Sequence, residues 1–516
     1  MPASRRAVLA ALAAGALLPG LGKLSARADS ASRDAMGPLD LHFRITQRYR
    51  PLQPLSAFVT LDDGFDADST ARYEALHPTG EAAGTLTAGG GALAVSGDAP
   101  YFALLRSGAA QQAPYSTVLV DVRSMVNTCQ AEDSVFAGLA RDERNYVTAW
   151  YNNVSKTVGV DVVTDGGLHP VALASASLAA PFSFGLILAG DTAGVLAREA
   201  DGDWRVLSVQ RTADLLDLRA QDLPAAYRNT FGARADHGTI VLDRVRGGYS
   251  GYFGLRDTCI VTAPDGTPHI EDDRLFFTAT AAFADPASSH QCVFSLNLAD
   301  TTDVVEVGKT FVRRDGRIVG DHAGKVVVDP DLPGLRVFAS TWGTSDLETT
   351  AVGTEVADLP GAALAGIHLC DVPGRLIQTG YDPCPTLVDG AWQVPVAGTS
   401  LYRFDAALES GGQVAAADDG FYEGPRTLQL GGTWYVMAGG IKDFRVYRLA
   451  DLSFVGFLDA EHPQAPAYPF GNPPHPSIAA VPQPDGSTRY VMVTFDIQTL
   501  PGAVGLGNLV IEEAVA

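Results

Sequence analysis

Leu255-Arg256-Asp257-Thr258-Cys259-Ile260 is the stretch from which the fold is read, because its pattern recurs along the C-terminal half of the chain. A polar ionisable residue stands just ahead of a short apolar run. The same arrangement returns in Gly320-Asp321-His322-Ala323-Gly324-Lys325-Val326, Tyr381-Asp382-Pro383-Cys384-Pro385-Thr386-Leu387, Tyr422-Glu423-Gly424-Pro425-Arg426-Thr427-Leu428 and Pro474-His475-Pro476-Ser477-Ile478. Second strands are expected after most of these, at Leu275-Phe276-Phe277, Leu335-Arg336-Val337-Phe338, Trp392-Gln393-Val394, Thr433 to Met437 and Arg489 to Met492. Short strand, turn and short strand in repetition is the pattern of propeller blades. Inner strands that start at one mouth of an axial channel would aim Asp257, Asp321 or His322, Asp382, Glu423 and His475 at one pocket.

Working outward, the chain of 516 residues is too long for one ordinary domain. Its 46% hydrophobic and 19% charged residues describe a globular protein rather than a disordered one. From Phe58 to about Tyr249 the sequence reads as a run of strands separated by turn residues, with a helical interruption expected between Leu215 and Tyr227. The expected fold is therefore all-β, an N-terminal antiparallel β-sandwich followed by a C-terminal five-bladed β-propeller. Its divisions are a targeting segment over 1–28, a linker over 29–50, a sandwich over 51–249 and a propeller over 250–516.

The net charge of −22 offers no positive field for phosphates, which excludes nucleic acid as a partner. Ser4-Arg5-Arg6-Ala7-Val8-Leu9 reads as a twin-arginine export signal, with Ala26-Arg27-Ala28 as its cleavage site. The apolar run behind it, Ala10 to Leu18, is shorter than the roughly 20 residues that cross a bilayer. A secreted, cell-surface or periplasmic protein without stable membrane insertion is expected. The five cysteines, Cys129, Cys259, Cys292, Cys370 and Cys384, contain no C-x-x-C pair, so a structural zinc site is not expected. Cys259 and Cys292 fall in one expected blade and are close enough in sequence to pair.

Carboxylates that converge in a polar pocket suit glycosidic cleavage, in which one acid protonates the leaving oxygen and another carboxylate activates water. The order of an Asp at the first blade, Asp-Pro at the third, Glu-Gly-Pro at the fourth and His at the fifth resembles the five-bladed propeller glycosidases, above all glycoside hydrolase family forty-three. That resemblance implies Asp257 as general base, Asp382 as the residue that tunes and orients the acid, and Glu423 as general acid. It implies an axial role for His475, toward a metal ion or water. The stretch 136–163 similarly resembles concanavalin-like sandwiches found beside carbohydrate-active domains. The chain departs from the family where Thr258 follows Asp257 and where Gly-Asp-His-Ala-Gly stands in the second blade.

Arg256, Asp321, His322, Trp342, Tyr381 and Arg426 are the expected substrate-binding residues. No cofactor is required; with two histidines converging, a hydrated Ca²⁺ in the channel suits the site better than zinc. The expected activity is an inverting glycoside hydrolase on a polysaccharide or oligosaccharide, with arabinan among the candidates. The alternatives are a non-catalytic glycan-binding protein, and a lyase or glycosyl transferase on the same fold.

Overall fold

The computed structural model describes residues 37–515 apart from 51, 77–83, 109–113, 128–131, 201, 221–222, 224–225, 284–287, 333, 342–351, 371–374, 418–421, 462–473 and 501–502. The twin-arginine segment, Cys129 and Trp342 lie outside these residues. The described chain is all-β, and its only helical elements are two short 3₁₀ turns, Pro38–Asp40 and Thr70–Arg72. The described part of the stretch between Leu215 and Tyr227, where a helical interruption is expected, holds turns, a single bridge and a 3₁₀ residue at Ala226.

The N-terminal half forms two antiparallel sheets of seven and eight strands. Their facing sides alternate apolar residues along each strand and share one core, in which Val118, Val120, Phe184 and Leu186 meet Val135, Leu139, Tyr151 and Phe231. The long strand Gly238–Tyr252 crosses this layer and is separated from the next strand, Gly254–Ile260, by Phe253 alone. With no spacer between them the two halves pack directly. Leu119, Ile187 and Leu196 of the layer share a core with Phe253, Phe283 and Phe311 of the first propeller sheet.

Four sheets make a four-bladed propeller region; the first also takes Gly366–Cys370, a strand from within the stretch that forms the second, in parallel pairing with Val304–Arg314. Their inner strands are Gly254–Ile260, His322–Val328, Thr386–Val388 and Glu423–Leu430. Each pairs antiparallel with a later strand of its own sheet, Arg274–Ala282, Gly334–Ser340, Ala391–Val396 and Thr433–Gly439 in turn. Apolar seams join successive blades: Val293 with Val326 and Leu335, Phe338 with Trp392, and Leu401 with Val436 and Tyr447.

The expectation of a separate sandwich followed by a five-bladed C-terminal propeller is overturned by the sheet that follows the fourth blade. That sheet is not another turn of the C-terminal repeat. It orders Asp459–Ala460, His42–Tyr49, Leu509–Val515, Thr488–Phe495 and Ser477–Pro482, so it takes a strand from the N-terminal end of the described chain. His42–Tyr49 falls in the stretch expected to be a linker. It pairs antiparallel with Leu509–Val515 and buries Phe43 against Met437, Met492 and Ala514. The physical reason is edge satisfaction: a strand with unpaired N–H and C=O groups is covered by the nearest extended segment, wherever that segment lies in sequence.

Phe43 is fully buried, and truncating a buried phenylalanine costs about 3–5 kcal/mol. Phe43→Ala should lower the denaturant midpoint accordingly, whereas Val59→Ala, at a residue 43% exposed, should stay within about 0.5 kcal/mol of the parent. A Phe43→Ala protein as stable as the parent would detach the N-terminal strand from the composite sheet.

Candidate active site

The site is built by one backbone device used four times. Asp257, Ala323, Asp382 and Gly424 all have left-handed φ, at 55°, 46°, 56° and 56°. Each stands at the entry of an inner strand. In three of the four the ladder also skips two residues, between Arg256 and Cys259, His322 and Lys325, and Glu423 and Arg426. The left-handed residue breaks the side-to-side alternation of a strand. Adjacent side chains can then meet, as Arg256 Nε and Asp257 Oδ1 do at 2.9 Å. Strand alternation alone would have kept that pair apart.

The second strand of the preceding blade pins two of these turns. Thr280 Oγ1 accepts from the Ala323 N–H at 2.8 Å, and Ser340 Oγ accepts from the Asp382 N–H at 2.8 Å. The Gly424 N–H in turn donates to Asp382 Oδ2 at 3.0 Å. A side chain at 424 is excluded twice over, by its φ and because a Cβ there would lie 1.9 Å from the His475 ring.

Asp257, Asp382 and His475 are brought together and buried, with one donor atom from each within 4.8 Å of the others. His475 Nε2 lies 3.4 Å from Asp382 Oδ2 and 3.7 Å from Asp257 Oδ1. Glu423, half-buried, faces the Tyr381 hydroxyl at 3.5 Å. Arg256 is 30% exposed, so this side of the cluster reaches solvent through Arg256, Tyr381 and Glu423.

Asp321 and His322 are buried in the second blade. Asp321 is ion-paired to Arg314 at 2.6 Å, and Arg314 also contacts Glu355. His322 stands close enough to Asp257 to act on its charge. Arg426 is almost fully buried and holds the frame. Its guanidinium donates to the carbonyls of Thr258 at 2.9 Å, Pro425 at 2.9 Å and Asp257 at 3.5 Å, and to His475 Nδ1 at 3.0 Å. Sequence reasoning missed Arg314 and Glu355, which precede a charged turn and lie on a third strand, where nothing marks them. The frame-holding place of Arg426 carried a signal, its constant offset of two residues from a left-handed position.

The three acids separate electrostatically. Burial alone would raise the Asp257 carboxyl, but the Arg256 guanidinium beside it holds it well below the usual carboxylate range. Burial pushes Asp382 well up, and the charges of Asp257 and Glu423 push the same way. Burial also raises Glu423, against the pull of Arg256. Close carboxyls resist ionising together, so Asp257 is the one held toward its charged form while Asp382 and Glu423 are pushed toward the protonated one. Burial and the neighbouring Arg426 depress His475 well below the ordinary imidazole range, so it is neutral.

The cluster of Asp257, Asp382 and His475 could coordinate a metal ion. Arginine can only donate, so the Arg426 contact makes Nδ1 of the neutral His475 ring an acceptor and leaves the proton on Nε2. In that state Nε2 offers a hydrogen to the two carboxyls. Ligation through it would require the Arg426 contact to be given up.

Cys259 and Cys292 do not pair: Cys259 faces the channel interior, and Cys292 contacts the Lys309 ammonium at 3.2 Å. Among the described residues no helix is long and apolar enough to cross a membrane.

No protein-family model and no curated protein matches the chain. Among solved structures, a thermostable family-43 glycoside hydrolase overlaps 51% of this chain and 89% of its own, at 13% identity and a TM-score of 0.33. A Bacillus subtilis levansucrase in complex with oligosaccharides overlaps 51% and 86%, at 9% identity and a TM-score of 0.35. A carbohydrate-binding module from Bacillus subtilis overlaps 34% and 95%, at 13% identity and a TM-score of 0.25. These overlaps are too slight to assign membership. The expected identity as a five-bladed family-forty-three-like enzyme is therefore corrected: the described residues form a four-bladed propeller region.

Asp382 carries a folded-state pKa above its unfolded value, so the folded protein keeps a proton that the unfolded chain releases. That contribution to stability is present at acid pH and is lost as pH rises through the folded pKa. Asp382→Asn removes this loss. The melting temperature of the variant relative to the parent should climb between pH 4 and pH 8; a difference that does not change with pH would show that Asp382 titrates normally.

Proposed function

We propose that the protein is an exported hydrolase of glycosidic bonds in a polysaccharide, working by acid/base catalysis at the channel mouth. The observation that carries this reading is the opposed direction in which one partly open cluster shifts Asp257 and Glu423. Arg256 holds the Asp257 carboxyl down, and burial pushes the Glu423 carboxyl up. An ionised carboxylate and a protonated one are the two groups that glycosidic cleavage requires.

In this reading Asp257 takes the proton of the attacking water and Glu423 delivers one to the leaving oxygen. Asp382 acts through its neighbours. It binds the Gly424 N–H and thereby fixes the turn that carries Glu423, and its proximity raises the cost of a second charge. Tyr381 orients Glu423 through its hydroxyl, and His322 lies beside the base. Arg426 and His475 hold the two halves of the cluster in register rather than touching sugar. Residues 250–516, completed by the N-terminal strand, carry the chemistry, and residues 51–249 form an accessory layer. The twin-arginine segment directs export, and inversion at the anomeric carbon is expected.

The activity should be sought as new reducing ends on a panel of wall polysaccharides that includes arabinan. Glu423→Gln should lower kcat by about 10²–10⁴-fold, the usual contribution of a positioned general acid. Asp257→Asn should do the same. The rate should fall on the acid side as Asp257 takes up a proton, and on the basic side as Glu423 loses one above the ordinary glutamate range. Undiminished hydrolysis by Glu423→Gln would remove it as the acid. Saturable glycan binding without reducing ends would favour a lectin, and an unsaturated product would favour a lyase.

A further inference from the structure

Two residues beyond each left-handed position the inner strands present a second ring of side chains: Cys259, Lys325, Cys384 and Arg426, with Ser477 of the composite sheet completing it. All five line one cavity of about 230 Å³ on the far side of the acid cluster. The Cys259 and Cys384 thiols come from the first and third blades, line this cavity together and stand near enough for each to act on the other. Lys325 Nζ lies 3.7 Å from Cys384 Sγ, and Thr427 Oγ1 lies 3.7 Å from the same sulfur. Lys325 and Arg426 are buried, and among the described residues neither is ion-paired to a carboxylate.

We propose that Cys259 and Cys384 are a redox-modifiable pair that closes to a disulfide across the propeller axis. The inference stands on the juxtaposition of two thiols from non-adjacent blades, beside two buried cations, in a cavity with room for a small oxidant. Positive charge favours the thiolate over the thiol and so favours attack. A peroxide is the co-reactant. The Cys384 sulfur displaces hydroxide from hydrogen peroxide to give a sulfenic acid. The Cys259 thiol then attacks that sulfur, an S–S bond forms, and the oxygen leaves as water. Two thiols are oxidised by two electrons and one peroxide is reduced to two waters. The bond would tie together the strands that carry Asp257 and Asp382, each two residues away. It would form whether or not the site above cleaves glycosides.

The full-length reduced protein is treated with hydrogen peroxide, denatured in N-ethylmaleimide and mapped by non-reducing peptide mass spectrometry. The expected result is a Cys259–Cys384 linked peptide, lighter by two hydrogens than its separated parts and released by dithiothreitol. In Cys259→Ser, Cys384 should instead be trapped as a dimedone adduct. The proposal is overturned if Cys259 and Cys384 are recovered as separate maleimide-labelled peptides after peroxide, or if Cys384 is over-oxidised in the parent without any cross-link. The parent experiment decides the matter even where a serine variant fails to fold.

Discussion

The left-handed residue at the head of each inner strand is the constraint on which the site depends. An L-residue with positive φ costs about 1–2 kcal/mol unless it is glycine, and Asp and Asn tolerate it best. The chain accepts that cost at Asp257 and Asp382 and avoids it with Gly424. In return the backbone turns, two residues leave the ladder, and consecutive side chains point toward the same axis instead of opposite faces. The turns are interlocked, because Thr280 holds Ala323, Ser340 holds Asp382, and Asp382 holds Gly424. Each blade therefore fixes the geometry of the next, and the acid cluster is set by the ring rather than by any one strand.

Around that frame, charge is distributed unequally. Three carboxyls and a buried imidazole would repel or desolvate one another if treated alike. Arg256 breaks the tie. It lies against Asp257 at hydrogen-bonding distance and acts on Glu423 only through space. Asp257 is thus held toward its charged form and Glu423 pushed toward its protonated one. Arg426, by contrast, is committed to backbone carbonyls and to His475, so its charge depresses the imidazole without neutralising an acid.

Much of this was legible in the sequence because the repeat marks its own starting points. Asp257, Asp382, Glu423 and His475 could be placed at equivalent positions from the polar-then-apolar pattern, and the structure brings them together. The composite sheet was not legible. The pairing of Arg44 with Glu513 joins residues 469 positions apart, and His42–Tyr49 alternates polar and weakly apolar residues, as an exposed arm also would. The Arg256–Asp257 contact was not legible for a definite reason: alternation holds within a regular strand, and a left-handed residue ends it. Arg426 was expected among the substrate-binding residues; two residues past the left-handed turn, however, its side chain is buried and committed to the frame.

The proton on His475 decides what the centre of the cluster can bind. Arg426 supplies only N–H groups, so its contact with Nδ1 fixes the tautomer from behind. Nε2 then presents a hydrogen toward Asp382 and Asp257 at distances slightly beyond a good hydrogen bond, and it is a buried donor without a partner. A buried donor of that kind is satisfied by a small shift of either carboxyl or by a water between them. A cation would need a bare nitrogen there, and so would have to displace the Arg426 contact and move the proton to Nδ1. The same arginine that ties the first and fourth blades together thus biases the cluster toward proton chemistry, because the geometry of the frame and the protonation of its central ring are held by one side chain.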